Sequence, residues 1–342
     1  MLFSLYPTDT DQVRDAVVAA VRAQPERFVF TSLHIPESRG LHAFGDYLGQ
    51  LHRSEGFEFC ADISPATLEA LGIGIDDLGR LRAWGVRSVR IDFGFDTAST
   101  RRIARAGDFG VAVNASTADA ALLDELDGVP VVGWHNYYPR PETGLSQAFF
   151  DQQNELFSSR ALAVYTFIPG EVSFRAPLFL GLPTLEAHRH RNAYVTYLQT
   201  RTRHPAARVV CAEGVLHAEH LRWIAHFELT GEVTLPLASV DPALGYLAGR
   251  SWRLRPEGTG TAFRIEETRG GALPERTINA DLRARGSLQV DLAGYGRYAG
   301  EIQLMCTDRP LNSLQALVGC LAPPYLGLVD VLAPGMTVRF EA

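Results

Sequence analysis

The sequence predicts an α/β protein, a (β/α)8 TIM barrel followed by a small β-rich domain. Short β-branched runs alternate with amphipathic stretches through the first two-thirds of the chain. Eight such repeats fall within about 230 residues, close to the ~250 of a complete barrel. Beyond them, from about Gly231, composition turns to Val/Leu/Thr runs broken by Gly and Pro.

Strands are expected at residues 2–6, 28–33, 57–63, 86–93, 111–114, 129–135, 161–167 and 207–213, the short β-branched runs of this alternation. Helical patterns lie between them at 12–23, 41–53, 77–84, 118–126, 146–157 and 218–227. Apolar residues three apart, such as Leu78, Leu81 and Trp84, mark one face. Strands that each lead into a helix require right-handed crossovers and a parallel sheet. An open, doubly wound sheet is the rival arrangement, and the repeat number favours closure. In the last third, runs at 251–254, 261–265, 287–292, 298–305 and 337–340 read as strands. The expected domains are residues 1–230 and 231–342.

Of the 342 residues, 46% are hydrophobic and 21% charged, as in an ordinary folded protein. A net charge of −7 argues against nucleic acid as a partner, although a few local arginines can still hold a phosphate. Acidic Asp9, Asp11 and Asp15 stand where a signal peptide needs an apolar run, and no stretch approaches the ~20 apolar residues of a membrane span. The four cysteines, Cys60, Cys211, Cys306 and Cys320, are widely spaced and form no C-x-x-C pair. A cytoplasmic location is therefore expected, with no membrane partner.

In such a barrel the active site forms at the C-terminal strand ends, and those ends are loaded with polar residues. Strand two ends near His34 and Glu37, strand three in Asp62-Ile63-Ser64-Pro65, and strand four in Arg90-Ile91-Asp92. Asn114 and Ser116 follow strand five, and His135, Asn136 and Tyr137 follow strand six. Glu171 and Arg175 follow strand seven, and Glu213 strand eight. Each has a plainer reading. Asp62 can cap the next helix, Arg90 and Asp92 can form a structural ion pair, Asn114 and Asn136 can tie loops, and Glu37 and Glu171 can be solvated. Convergence of seven strand ends on one rim favours a site. Aromatic Tyr6, Trp134, Tyr137 and Tyr138 would offer flat surfaces of the kind sugars stack on. The long loop after strand seven places Arg175 where barrels often bind phosphate.

Other motifs carry less. Glu186-x-His188-x-His190 lacks the order of a helical metal site, and His217 and His220 read as a solvated helix face. Gly294-Tyr295-Gly296 lacks the helix a dinucleotide fingerprint needs. Neither a metal nor a redox cofactor is expected.

These strand-end segments resemble the bacterial 6-phospho-N-acetylmuramidase family. The matching stretches are Ser4-Leu5-Tyr6-Pro7, Thr31-Ser32-Leu33-His34-Ile35-Pro36-Glu37, Asp62-Ile63-Ser64-Pro65, Arg90-Ile91-Asp92-Phe93-Gly94-Phe95 and Asn114-Ala115-Ser116. They continue with Trp134-His135-Asn136-Tyr137-Tyr138-Pro139 and Gly181-Leu182-Pro183-Thr184-Leu185-Glu186. The C-terminal segments Tyr298-Ala299-Gly300-Glu301-Ile302-Gln303 and Pro334-Gly335-Met336 are similar to the family's cyclophilin-like domain. The chain departs from the family at Thr8, where an acidic residue is common. The resemblance implies hydrolysis of the bond between N-acetylmuramic acid 6-phosphate and N-acetylglucosamine during cell-wall recycling.

Glycoside hydrolysis needs a proton donor and an opposing carboxylate. The leading pair is Asp92 and Glu213, with Asp62 and Glu37 as substitutes. Arg90 would hold Asp92 ionised, while His135, Asn136, Asn114 and Tyr137 would meet the phosphorylated amino-sugar disaccharide. Arg175 would bind its phosphate or its lactyl carboxylate. Retaining, inverting and substrate-assisted routes all remain open. So do a sugar-phosphate isomerase or aldolase, a non-catalytic sugar-phosphate binding protein, and a homodimer.

Overall fold

The computed structural model describes residues 1–34, 40–92, 94–105, 109–274 and 280–342. Its contacts divide the chain into two compact units, Met1–His217 and Ala218–Ala342.

The first unit is a closed, all-parallel barrel of eight strands in sequence order. The strands are β1 (Leu2–Ser4), β2 (Phe28–Ser32), β3 (Glu58–Ile63), β4 (Val86–Ile91), β5 (Gly110–Asn114), β6 (Val131–Trp134), β7 (Val164–Ile168) and β8 (Arg208–Cys211). All eight fall within or beside the expected runs. Helices α1 (Asp11–Arg22), α2 (Leu41–Glu55), α5 (Ala120–Glu125) and α6 (Gln147–Ser158) follow the amphipathic stretches. The 77–84 pattern is a 3₁₀ segment, Ile75–Trp84. Helices α3 (Pro65–Leu71), α4 (Thr97–Arg105) and α7 (Ala193–Arg203) fill further crossovers between strands, at positions for which no stretch is named above. Ser64 caps α3, accepting the Thr67 N–H while Thr67 Oγ1 accepts the Ser64 N–H. The capping role open to Asp62 therefore falls to its neighbour, leaving Asp62 free to face inward.

Inward-pointing side chains fill the barrel interior. Trp134 stacks on Tyr165 with centroids 4.2 Å apart and on Phe30 at 5.0 Å, and Phe167 meets Phe30 edge-on at 5.0 Å. This aromatic plug, with Tyr6, Leu2, Cys60 and Val210, closes the barrel beneath its C-terminal mouth. Burial pushes the Cys60 thiol up to about 12 and the Cys211 thiol well above its ordinary value, so both act as small apolar side chains.

The second unit opens with α8 (Ala218–Thr230) and continues as a mixed sheet. Its strands are β9 (Val233–Val240), β10 (Ser251–Arg253), β11 (Ala262–Arg264), β12 (Leu282–Arg283), β13 (Ser287–Asp291), β14 (Ile302–Met305), β15 (Arg309–Pro310), β16 (Gln315–Leu321) and β17 (Thr337–Glu341). Seven of them form one sheet in the order β10-β17-β9-β16-β13-β14-β11, and β12 pairs with β15. The solvated face expected for His217 and His220 is only half present. His217 is exposed, whereas His220 is buried and its Nε2 bonds the Tyr325 hydroxyl at 2.9 Å.

Candidate active site

Adjacent strands bring the central charges together. In the β3–β4 register Asp62 pairs with Arg90, and Asp92 follows two residues later, one residue past the end of β4. Arg90 is buried, and its Nη1 donates to Asp62 Oδ1 at 2.8 Å while lying 3.3 Å from Asp92 Oδ1. Its Nη2 donates to Asn136 Oδ1 at 2.5 Å, and its Nε reaches the Trp134 carbonyl at 3.4 Å. The ion pair foreseen as a plainer reading is thus real, but one guanidinium serves two carboxylates. That leaves one negative charge in excess in a low-dielectric setting, where one carboxyl group holds its proton more readily. Burial pushes the Asp62 carboxyl above its ordinary value, and the neighbouring Asp92 charge adds to this against the pull of Arg90.

These groups line a cavity of about 230 Å³ with Phe30, Ser32, His34, His135, Asn136, Tyr137 and Phe167. Ser32 Oγ donates to Asp62 Oδ2 at 3.3 Å, and His34 Nδ1 lies 2.6 Å from Ser64 Oγ. Asn114 Nδ2 reaches Asp92 Oδ1 at 3.4 Å while its Oδ1 accepts the Ser116 N–H at 3.0 Å. Asn114 therefore both ties its loop and orients a carboxylate.

His135 is fully buried, and both of its ring nitrogens have protein neighbours. Nδ1 lies 3.1 Å from Ser116 Oγ, and Nε2 lies 3.4 Å from Asn154 Nδ2. An amide nitrogen can only donate, so Nε2 accepts and Nδ1 carries the proton. Ser116 Oγ also accepts the Asn136 N–H at 2.9 Å. Burial, with Arg90 adding repulsion, holds the imidazole down to about 3, hence neutral. Ser116 stands among the polar strand ends of the sequence without a role of its own, and Asn154 is not among them. Ser116 had a strand-end position to mark it, whereas Asn154 sits on α6 and nothing in its surroundings sets it apart.

Glu213 and Arg175 form a second group beside the cavity. Arg175 Nη1 donates to the Tyr137 hydroxyl at 3.1 Å, and its guanidinium lies over the rings of Tyr6 at 4.4 Å and Tyr137 at 5.0 Å. Its backbone N–H donates to Glu213 Oε2 at 2.6 Å. Glu213 is not among the cavity-lining residues, unlike Asp92, its expected partner. The barrel order explains this, since β4 and β8 lie on opposite sides of the ring. Glu213 is instead packed beneath the loop that follows β7. A Cβ on Gly170 would stand 2.0 Å from the Glu213 carbonyl oxygen, so only glycine allows the two strand ends to approach. Asp9, one residue past Thr8, accepts the Tyr6 N–H at 2.7 Å, and burial raises its carboxyl to about 6.

Burial also pushes Glu213 up to about 7, against the backbone N–H groups of Arg175 and Leu182 and the charge of Arg175. The folded-state value lies above that of a free glutamate, so the ionised form weakens the fold as pH rises through about 7. Glu213→Gln, which keeps the acceptor for the Arg175 N–H, should therefore stabilise the protein by on the order of 2–3 kcal/mol near pH 8 and little near pH 4. Urea unfolding at the two pH values measures this. Equal effects at both would show that Glu213 is not held protonated.

Glu171, read as solvated, instead accepts the backbone N–H groups of Ala193 at 3.3 Å and His217 at 3.1 Å. Glu186 is clamped by Arg189, Nε to Oε1 at 2.6 Å and Nη2 to Oε2 at 2.8 Å. Glu37 lies outside the described residues. Among the described residues, no three His, Cys, Asp or Glu groups are placed to hold a metal ion.

Two solved structures resemble the whole chain. One is a conserved protein of unknown function from a locus in Enterococcus faecalis, with a TM-score of 0.84 and 25% identity, covering 100% of this chain and 96% of the other. The second is an uncharacterized B. cereus protein, with a TM-score of 0.80 and 22% identity, covering 100% and 99%. No curated protein matches. A family model described as 6-phospho-N-acetylmuramidase, N-terminal, matches residues 3–226. That span takes in β1 to β8 and every residue of the Asp62–Arg90–Asp92 cavity, so the chain belongs to the 6-phospho-N-acetylmuramidase family.

Proposed function

We propose that the protein is a glycosidase that cleaves N-acetylmuramic acid 6-phosphate from N-acetylglucosamine in cell-wall recycling. The observation that carries this reading is the pair of carboxylates, Asp62 and Asp92, held by one buried arginine within the barrel cavity. Asp62, raised by burial, is the proton donor to the leaving oxygen. Asp92, oriented by Arg90 and Asn114, opposes the positive charge that develops at the anomeric carbon.

Two oxygens lying 2.8 and 3.3 Å from the same nitrogen are closer together than the ~6.5–9.5 Å of an inverting pair. This spacing favours retention, or participation by the neighbouring acetamido group. Arg175 is held by Tyr6 and Tyr137 on the loop after β7, and its remaining N–H groups are the proposed ligands of the 6-phosphate. His135 acts at one remove, holding Ser116 and thereby the Asn136 backbone. Glu213 anchors the Arg175 loop and does not take part in the chemistry.

The 342-residue sequence contains no lysine, which removes a Schiff-base aldolase from consideration. Among the described residues no helix is long and apolar enough to cross a membrane. A phosphorylated substrate fits the cytoplasmic location proposed here.

The test is incubation with 6-phosphorylated and unphosphorylated muramyl disaccharides, with both released sugars measured. Cleavage of the phosphorylated compound alone is expected. Equal cleavage of the two would remove the phosphate site, and binding without release of a reducing sugar would turn the protein into a non-catalytic binder.

A further inference from the structure

The second unit carries a cluster of charge that the glycosidase reading does not use. Three arginines, Arg255, Arg264 and Arg269, surround Glu301, whose side chain is only 3% exposed. Arg269 Nε takes Glu301 Oε2 at 2.5 Å. The other two stand off, Arg264 Nη1 at 3.8 Å and Arg255 Nε at 3.9 Å. Both distances exceed a hydrogen bond. The Nε–H groups of Arg255 and Arg264 are buried and have no acceptor among the described residues.

This arrangement is costly as it stands. Arg255 donates its backbone N–H to the Arg264 carbonyl at 2.9 Å, beside the antiparallel bridge between Leu254 and Ile265. Like charges facing each other across two strands repel, and a buried donor without an acceptor forfeits its hydration. Nearby carboxylates do not fully compensate. Glu257 meets Arg264 Nη2 at 3.3 Å from an exposed position, where such a pair contributes little. Asp291, on the neighbouring strand β13, is pushed upward by burial and engages the carboxamides of Gln289, Gln303 and Gln315, each at 3.4 Å. The two stand-off guanidinium groups keep donors that no carboxylate engages within hydrogen-bond distance, and their fork matches a planar or tetrahedral oxyanion.

We propose that Arg255 and Arg264, backed by Arg269 and Glu301, form a binding site for an oxyanion of phosphate or carboxylate type. The site lies within the C-terminal domain and is independent of the barrel chemistry. Arg255 and Arg264 are partly exposed, so a ligand can approach from solvent. Glu301 occupies part of the positive field and sets the affinity by competing with the ligand.

The full chain is titrated calorimetrically with inorganic phosphate and, separately, with acetate at constant ionic strength. The wild type is compared with Arg255→Gln/Arg264→Gln, Glu301→Gln and Arg175→Gln. Phosphate should still bind Arg175→Gln, which lacks the proposed phosphate ligand of the barrel, and the double substitution made in that background should weaken this binding about tenfold or more. The double variant should retain disaccharide cleavage. Glu301→Gln should bind phosphate more tightly and gain more thermal stability from it than the wild type does, a change opposite in sign to structural damage. A response to phosphate without one to acetate identifies the phosphate type, and a response to both supports the broader oxyanion class. Undiminished binding after the double substitution in the Arg175→Gln background, loss of binding in Arg175→Gln, or no binding of either anion to the wild type would overturn the proposal.

Discussion

Asp92→Asn is expected to lower turnover by ~10³-fold while leaving fold and substrate affinity nearly intact, the scale of loss when a group aimed at the charge of the transition state is removed. The carboxamide keeps the size of the side chain and an oxygen that can face Arg90 Nη1, now 3.3 Å from Asp92 Oδ1. The negative charge opposing the oxocarbenium-like centre is lost. Asp62→Asn should cause a loss of similar size for a different reason, the missing proton, and should abolish the alkaline limb of the kcat/KM profile. Turnover on the phosphorylated disaccharide, with KM measured alongside, separates the two. Near-normal kcat in Asp92→Asn would remove that residue from the chemistry and reopen the role of Glu213.

The second large effect is on the fold. Arg90→Met strips the partner from Asp62 and Asp92 and the donor from Asn136. Breaking a buried pair by removing one member leaves uncompensated charge and typically costs about 3–5 kcal/mol. Asp62 would then prefer its protonated form still more strongly, with a folded-state value further above that of the unfolded chain. The deficit should grow as pH rises and shrink towards about pH 4. Urea unfolding across pH measures it, and a deficit that does not change with pH would mean that packing rather than charge dominates. Arg90→Lys should recover much of the stability but little turnover, because an ammonium group cannot span Asp62 and Asn136 in one plane.

The barrel was legible because strands buried on both faces leave largely apolar runs, as in residues 28–33 and 161–167. The missing helices have separate causes. Helix α7, Ala193–Arg203, is buried over most of its length and rich in Val, Thr and Tyr, so it shows no polar stripe and carries strand-like residues. Helix α3 is only seven residues long. Strand β9 contains Pro236, which argues against a strand in the middle of a sheet.

The site was partly legible for a reason of adjacency. Asp62, Arg90 and Asp92 lie on neighbouring strands, and position at a strand end was enough to predict their meeting. Pairing Asp92 with Glu213 required knowing how far side chains reach across the ring, which strand position does not reveal. The partners of His135 also escaped notice, because Asn154 acts from a helix behind the strands.

A catalytic chamber that must keep working as the surrounding acidity drifts gains from a back wall that does not respond. Imidazole ordinarily changes charge near neutrality, yet His135 stays uncharged until about pH 3. Moderate acidification thus leaves His135 electrically unaltered, and under the proposed glycosidase chemistry the proton would be handled by the carboxyl groups of the cavity.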